Sequence, residues 1–286
     1  MRQGVITELP VKSKILINTG DVALSSTPTN QLLYDFDFVQ FYRQPNADEA
    51  QAPYRARAMM LVRDDYLVLS DEVATPQTPG RFGWVNVFDL PEFYQLKPGA
   101  RGIDVEYTES NTHRFTGVGG GTNEPRTAKV KIFNGKGDFL TVVAPPGGVA
   151  KAEATDFGGI VNGEYVFASQ KPVENDRFAG TYGYARKNQI ALFQGTRVRF
   201  DDLGLTREGG DFGASAEVKG GKIVGRLVGK SGGTLSVTPP AGFLKGNNVT
   251  VLIDGKPVQA TVQNNTVTFA VAIAQRDGLK YYDIQP

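Results

Sequence analysis

The sequence predicts an all-β protein, a large antiparallel β-sandwich followed by a smaller C-terminal β-sandwich or meander. Three observations carry that prediction. Apolar residues alternate with polar ones at period two along the whole chain, no segment shows convincing amphipathic-helix spacing, and turn residues recur about every 8–15 positions. The first clear strand is Leu33–Tyr42, where Tyr34, Phe36 and Phe38 alternate with Leu33, Asp35 and Asp37. Tyr66–Leu69, Lys129–Phe133, Phe139–Val143, Tyr165–Ala168 and Gln189–Phe193 follow as β-branched or aromatic runs bounded by Gly, Pro, Asn or Asp. Arg197–Phe200, Lys222–Val228, Val249–Ile253 and Thr266–Val271 continue the pattern. Asp254-Gly255 and Asn264-Asn265 are hairpin dipeptides, and they predict two consecutive tight hairpins near the C-terminus. The glycine-rich stretch Gly204–Gly213 separates an aromatic-rich part from a Thr/Val-rich tail, which sets the expected domains at 1–205 and 206–286.

Composition narrows the function by exclusion. The 286 residues carry 31 Lys+Arg against 30 Asp+Glu, a formal charge of +1 that gives no large field for nucleic acid or an anionic membrane surface, and neither is expected as a partner. With no cysteine there is no disulfide framework or thiolate nucleophile, and a single histidine removes multi-histidine metal sites. Apolar runs such as Ile190–Phe193 fall far short of the ~20 residues a bilayer-spanning helix needs. Met1 is not followed by a charged-then-apolar leader, so any export signal is expected elsewhere. Two glycine motifs fail on spacing. Gly225-Arg-Leu-Val-Gly229-Lys-Ser has three residues between its glycines where a phosphate loop needs four, and Thr122 stands where a dinucleotide fingerprint needs its last glycine. No cofactor and no metal are expected.

Candidate site residues come from four features. His113 sits in the polar stretch Glu109–Phe115 ahead of a glycine loop, a position for a general base or for a simple ligand contact. The aromatic run Phe82, Trp84, Phe88, Phe93, Tyr94 holds the sole tryptophan; Trp84 and Tyr94 combine a plane for a sugar's C–H face with a polar handle, whereas the phenylalanines fit a sandwich core. Arg55/Arg57 and Arg197/Arg199 stand two apart, a spacing that suits carboxylate or sulfate groups and equally a solvated sheet face. The pairs Asp35/Asp37, Asp64/Asp65 and Asp201/Asp202 need no catalytic explanation on an exposed strand or turn.

Several motifs in order resemble one family. Tyr54-Arg-Ala-Arg-Ala-Met-Met-Leu-Val-Arg-Asp-Asp-Tyr66-Leu-Val-Leu-Ser-Asp71-Glu-Val is similar to a strand pair of heparinase II/III-like polysaccharide lyases, and Lys129–Val143, Asn188–Gly195 and Val251–Val258 are similar in kind and order to later strands. The resemblance implies the β-sandwich half of a periplasmic or extracellular lyase whose other half, an N-terminal helical toroid, supplies a catalytic tyrosine. Such an enzyme abstracts the C5 proton of a uronic acid and expels the C4 oxygen, which requires a base, an acid and neutralisation of the carboxylate. On that pattern Arg55 or Arg57 would hold the carboxylate, and His113, Tyr94 or Tyr107 would move the proton. The sequence departs from the pattern in two ways, since it has no His-rich segment and carries Asn86 and Phe88 where a histidine is expected. The family's zinc and catalytic histidines therefore do not transfer. The expected role is to contact a polysaccharide, acidic or neutral, within a lyase parent, with the chain alone inactive. The alternative is a non-catalytic carbohydrate-binding or structural, adhesin-like sandwich.

Overall fold

A strand that carries apolar residues on both faces is stable only where its sheet is covered on both sides, and the chain meets that condition in its C-terminal half. The computed structural model describes residues 2–5, 32–45, 54–62, 65–73, 79–86, 92–95, 101–108, 127–136, 139–144 and 151–286 except 247 and 274–278. Within 2–5, 79–86, 92–95, 101–108 and 127–136, and at positions such as Arg55 and Arg57, it describes backbone alone.

All strand pairs among the described residues are antiparallel, in three sheets. A four-stranded sheet runs β1 (Arg2–Val5), β6 (Pro79–Asn86), β9 (Thr127–Lys136), β8 (Arg101–Thr108). A six-stranded sheet runs β2 (Leu32–Phe36), β3 (Val39–Pro45), β4 (Tyr54–Val62), β5 (Tyr66–Val73), β10 (Phe139–Ala144), β7 (Glu92–Gln95). The central sheet runs β11 (Ala152–Thr155), β12 (Gly158–Val161), β13 (Glu164–Glu174), β14 (Phe178–Arg186), β15 (Gln189–Phe200), β17 (Asp211–Lys219), β18 (Lys222–Ser231), β24 (Leu279–Gln285), β20 (Thr250–Ile253), β21 (Lys256–Val258). From the far end of β15 a branch continues through β16 (Leu203–Glu208), β19 (Gly233–Thr238), β23 (Thr266–Val271) and β22 (Ala260–Gln263).

The central sheet is the middle of three layers. Along β15, Ala191 and Phe193 join a core shared with the six-stranded sheet, while Ile190 and Leu192 join a second core shared with the branch. The alternation is the ordinary pleat of a strand. In the first core the Phe193 ring stacks on Phe41 at 4.7 Å and on Phe36 at 5.6 Å, with Tyr182 4.9 Å from Phe41. Removing a fully buried ring of this kind costs about 3–5 kcal/mol. Close approach of the layers demands glycine at 213, where a Cβ would stand 2.6 Å from the Tyr34 ring.

Both predicted hairpin turns form, with positive φ at Asp254, Gly255, Asn264 and Asn265 as the dipeptides require. The run from Pro257 to Val262 divides at Gln259, so that β21 stays with the central sheet and β22 joins the branch. The expected boundary at 205/206 lies inside β16, where Leu205 pairs with Val198 on one side and Val237 on the other.

Candidate functional site

The described structure offers two arrangements with chemical character. One is buried between sheets and the other opens to solvent. Between the six-stranded and central sheets, Glu72 on β5 accepts hydrogen bonds from Arg43 Nε at 2.8 Å, Arg43 Nη2 at 2.7 Å and the Tyr182 hydroxyl at 2.5 Å. Nearby, Glu164 on β13 accepts from the hydroxyls of Tyr66 at 2.7 Å and Tyr184 at 2.6 Å and from Arg186 at 3.2 Å. Period two explains the set. Tyr66, Ser70 and Glu72 share one face of β5, and Tyr182 and Tyr184 share the opposing face of β14.

Tyrosine beside carboxylate and arginine is the stock of a proton-transfer site, but the electrostatics run the wrong way. Burial pushes the Tyr182 hydroxyl far above the ordinary tyrosine range, and the Glu72 charge adds to it. Burial does the same to Tyr66, reinforced by Tyr184 and Glu164, and to Tyr184, reinforced by Glu164. A phenol held protonated so firmly cannot serve as a base near neutral pH. These groups are clasps that tie the sheets together.

The second arrangement is an open groove of about 660 Å³ on the face of the central sheet turned toward the branch. Phe157, Ile160, Tyr165 and Val173 make its apolar floor. The β11–β12 turn contributes Thr155 and Asp156, and the β13–β14 turn contributes Glu174, Asn175, Asp176 and Arg177. The two turns meet because β12 lies beside β13, with Ile160 opposite Tyr165, and β13 beside β14. Rings continue beneath the floor. Tyr165 stacks with Phe167 at 6.1 Å and meets Phe200 edge-on at 5.7 Å, and Phe157 lies 5.0 Å from Phe167.

The β13–β14 turn is held rigidly. Asn175 Oδ1 accepts from the backbone N–H groups of Arg177 at 2.8 Å and Phe178 at 2.9 Å, an Asx turn. Arg197 donates to the Asn175 carbonyl at 2.6 Å. Arg177 lays its guanidinium over the Tyr165 ring, 4.7 Å from the centroid. Thr155 lines the groove, with its Oγ1 shielded from solvent and without a hydrogen-bond partner among the described residues. Among the described residues, no three His, Cys, Asp or Glu side chains stand close enough to hold a metal ion.

None of the sequence-derived candidates is among the described residues that line the groove. His113 lies outside the described residues, as do the side chains of Arg55, Arg57, Trp84, Tyr94 and Tyr107. Their backbones separate them. Trp84 is on β6 and Tyr107 on β8 of the four-stranded sheet, whereas Tyr94 is on β7 and the two arginines on β4 of the six-stranded sheet. Strands β4 and β7 have β5 and β10 between them, roughly 14 Å at the usual interstrand spacing. A register shift at Arg55 also interrupts strict alternation with Arg57. The second arginine pair has local partners: Arg197 serves Asn175 and stands 3.8 Å from Glu174, and Arg199 reaches the Asp201 carbonyl and stands 3.8 Å from Asp202. Asp35 and Asp37 meet Arg226, whose guanidinium lies over Tyr281.

Sequence reasoning missed the groove because its two turns, Thr155–Gly158 and Glu174–Arg177, are brought side by side by the pairing of β12, β13 and β14, which no local motif announces. The available signal was the aromatic alternation of Tyr165 and Phe167 between two acidic turns. No family model and no curated protein matches the chain.

Proposed function

We propose that this chain is the β-sandwich part of a carbohydrate-active protein of the heparinase II/III-like lyase type, and that it contributes glycan contacts while the elimination step belongs to the parent with a helical toroid. Such a parent would work in the periplasm or outside the cell. The observation that supports the reading is the groove: a volume of about 660 Å³ suits a small-molecule ligand, and half-exposed Tyr165 and Phe157 beside Asp156, Asn175 and Asp176 combine stacking planes with hydroxyl-binding groups.

Co-sedimentation with insoluble polysaccharides tests the proposal. The chain should be retained on at least one glycan, and Tyr165→Ala should weaken retention about three- to tenfold, the worth of one aromatic contact, while the protein stays folded by circular dichroism. Incubation with alginate, heparin or chondroitin should produce no unsaturated-uronate absorbance. Retention on none of the polysaccharides, or retention indifferent to Tyr165, overturns the glycan reading; growing absorbance overturns the division of labour.

A further inference from the structure

The groove's charge is lopsided in a way that names its ligand class. Asp156, Glu174 and Asp176 stand at the rim with one cation, Arg177, among the lining residues. Glu174 has Arg197 at 3.8 Å, while Asp156 and Asp176 have no ion-pair partner among the described residues. Because those carboxylates are spread over two turns and do not cluster as metal ligands do, they fit a ligand with several groups.

The Tyr165 face is already occupied by a cation, since the Arg177 guanidinium rests 4.7 Å above it. An aromatic face ringed by carboxylates favours positive charge through the ring quadrupole and through direct attraction. A uronate would meet these carboxylates with like charge. A neutral sugar could displace Arg177 only by giving up that cation contact, whereas an ammonium replaces it.

We infer that the groove binds an amine-bearing glycan, a polymer of deacetylated amino sugars, with Arg177 as a displaceable cover on Tyr165. This rests on the reading of the groove as a glycan site, and it sets the ligand apart from the uronic-acid polysaccharides that the lyase resemblance implies.

Isothermal titration of the full chain with three oligosaccharides of matched length tests the inference: deacetylated chitosan, its N-acetylated form, and an oligouronate, at low salt in a mildly acidic buffer that keeps the amines protonated. The deacetylated form should bind about fivefold more tightly than the acetylated one, and at least twofold. The oligouronate should bind more weakly than both. Asp156→Asn with Asp176→Asn should abolish the preference by weakening the deacetylated ligand about fivefold more than the acetylated one, the range of two exposed charge pairs. Arg177→Ala should tighten binding of the deacetylated ligand two- to fivefold, in line with an exposed cation–π contact, an effect that damage to the fold would not produce. An acetylated ligand bound within twofold of the deacetylated one, or a preference for the oligouronate, overturns the inference while leaving a glycan site. Binding of none of the three overturns the glycan reading and the inference together.

Discussion

Replacing Glu72 with alanine measures how far the junction of the six-stranded and central sheets depends on one carboxylate. Glu72 is 7% exposed and accepts three hydrogen bonds, two from Arg43 and one from Tyr182. A hydrogen bond to a charged group contributes about 1.5–3 kcal/mol, but the three share one acceptor and do not add. The larger effect is what the substitution leaves behind: a buried Tyr182 hydroxyl and a guanidinium deprived of its carboxylate. Breaking a buried pair in this way costs about 3–5 kcal/mol. The Arg43 side chain retains 21% exposure and can recover some hydration, so the expected loss is near the lower end, about 3 kcal/mol. Urea unfolding followed by circular dichroism reads this directly, because it is a large part of the 5–15 kcal/mol typical of a folded domain. The triple variant Arg43→Met, Glu72→Leu, Tyr182→Phe removes the carboxylate and both of its donors, leaves Ser70 as the remaining polar neighbour of Tyr182, and should recover to within about 1 kcal/mol of the original. A loss below about 1 kcal/mol in Glu72→Ala, or a triple variant as unstable as the single one, refutes the account of the clasp.

Two further outcomes follow from buried groups. Burial holds the phenols of Tyr66, Tyr182, Tyr184 and Tyr282 above their unfolded value near 10, so the stability they contribute is complete below pH 10 and is lost as pH rises beyond it. Each should steepen the decline by about 1.4 kcal/mol per pH unit, and Tyr282→Phe should remove one such share; urea midpoints that stay flat from about pH 9 to 11 would contradict this. Gly225→Ala should destabilise by at least about 1–3 kcal/mol, because its Cβ would stand 2.0 Å from the Ser215 carbonyl oxygen and 2.4 Å from the Tyr282 ring, against backbone that cannot move aside. Unchanged stability would mean that β17, β18 and β24 are packed less closely than described.

The fold class was legible because a period of two survives in single strands. Tyr34 and Phe36 alternate on β2 and are buried in the core, but the run Leu33–Tyr42, expected as one strand, is a hairpin of β2 and β3 with Asp37 and Phe38 in its turn and Phe38 buried there; Asp254-Gly255 and Asn264-Asn265 encode their turns locally. Layering was not legible. Whether β15 borders one core or two depends on partners distant in the chain, and Gln259, where one run divides between two layers, carries no turn signal of its own. The glycines of 204–213 suggested a boundary, but several of them serve strand contacts: Gly213 admits Tyr34, and Gly204 pairs with Thr238 in the branch. In two of the acidic pairs the described carboxylates meet a cation: Asp35 and Asp37 engage Arg226, and Asp202 stands near Arg199. The groove escaped notice because it is assembled by the register of β12, β13 and β14, and a turn such as Glu174–Arg177 gains a function only from what lies across from it.

If the groove between the β11–β12 and β13–β14 turns is the ligand site, amide chemical shifts mapped during titration with deacetylated chitosan oligosaccharide will locate the ligand there. The account predicts saturable shifts concentrated at Thr155–Ile160 and Val173–Arg177, and their loss in Tyr165→Ala. Shifts concentrated instead on the strands that carry Trp84 or Tyr94, or no saturable shifts at all, would contradict it.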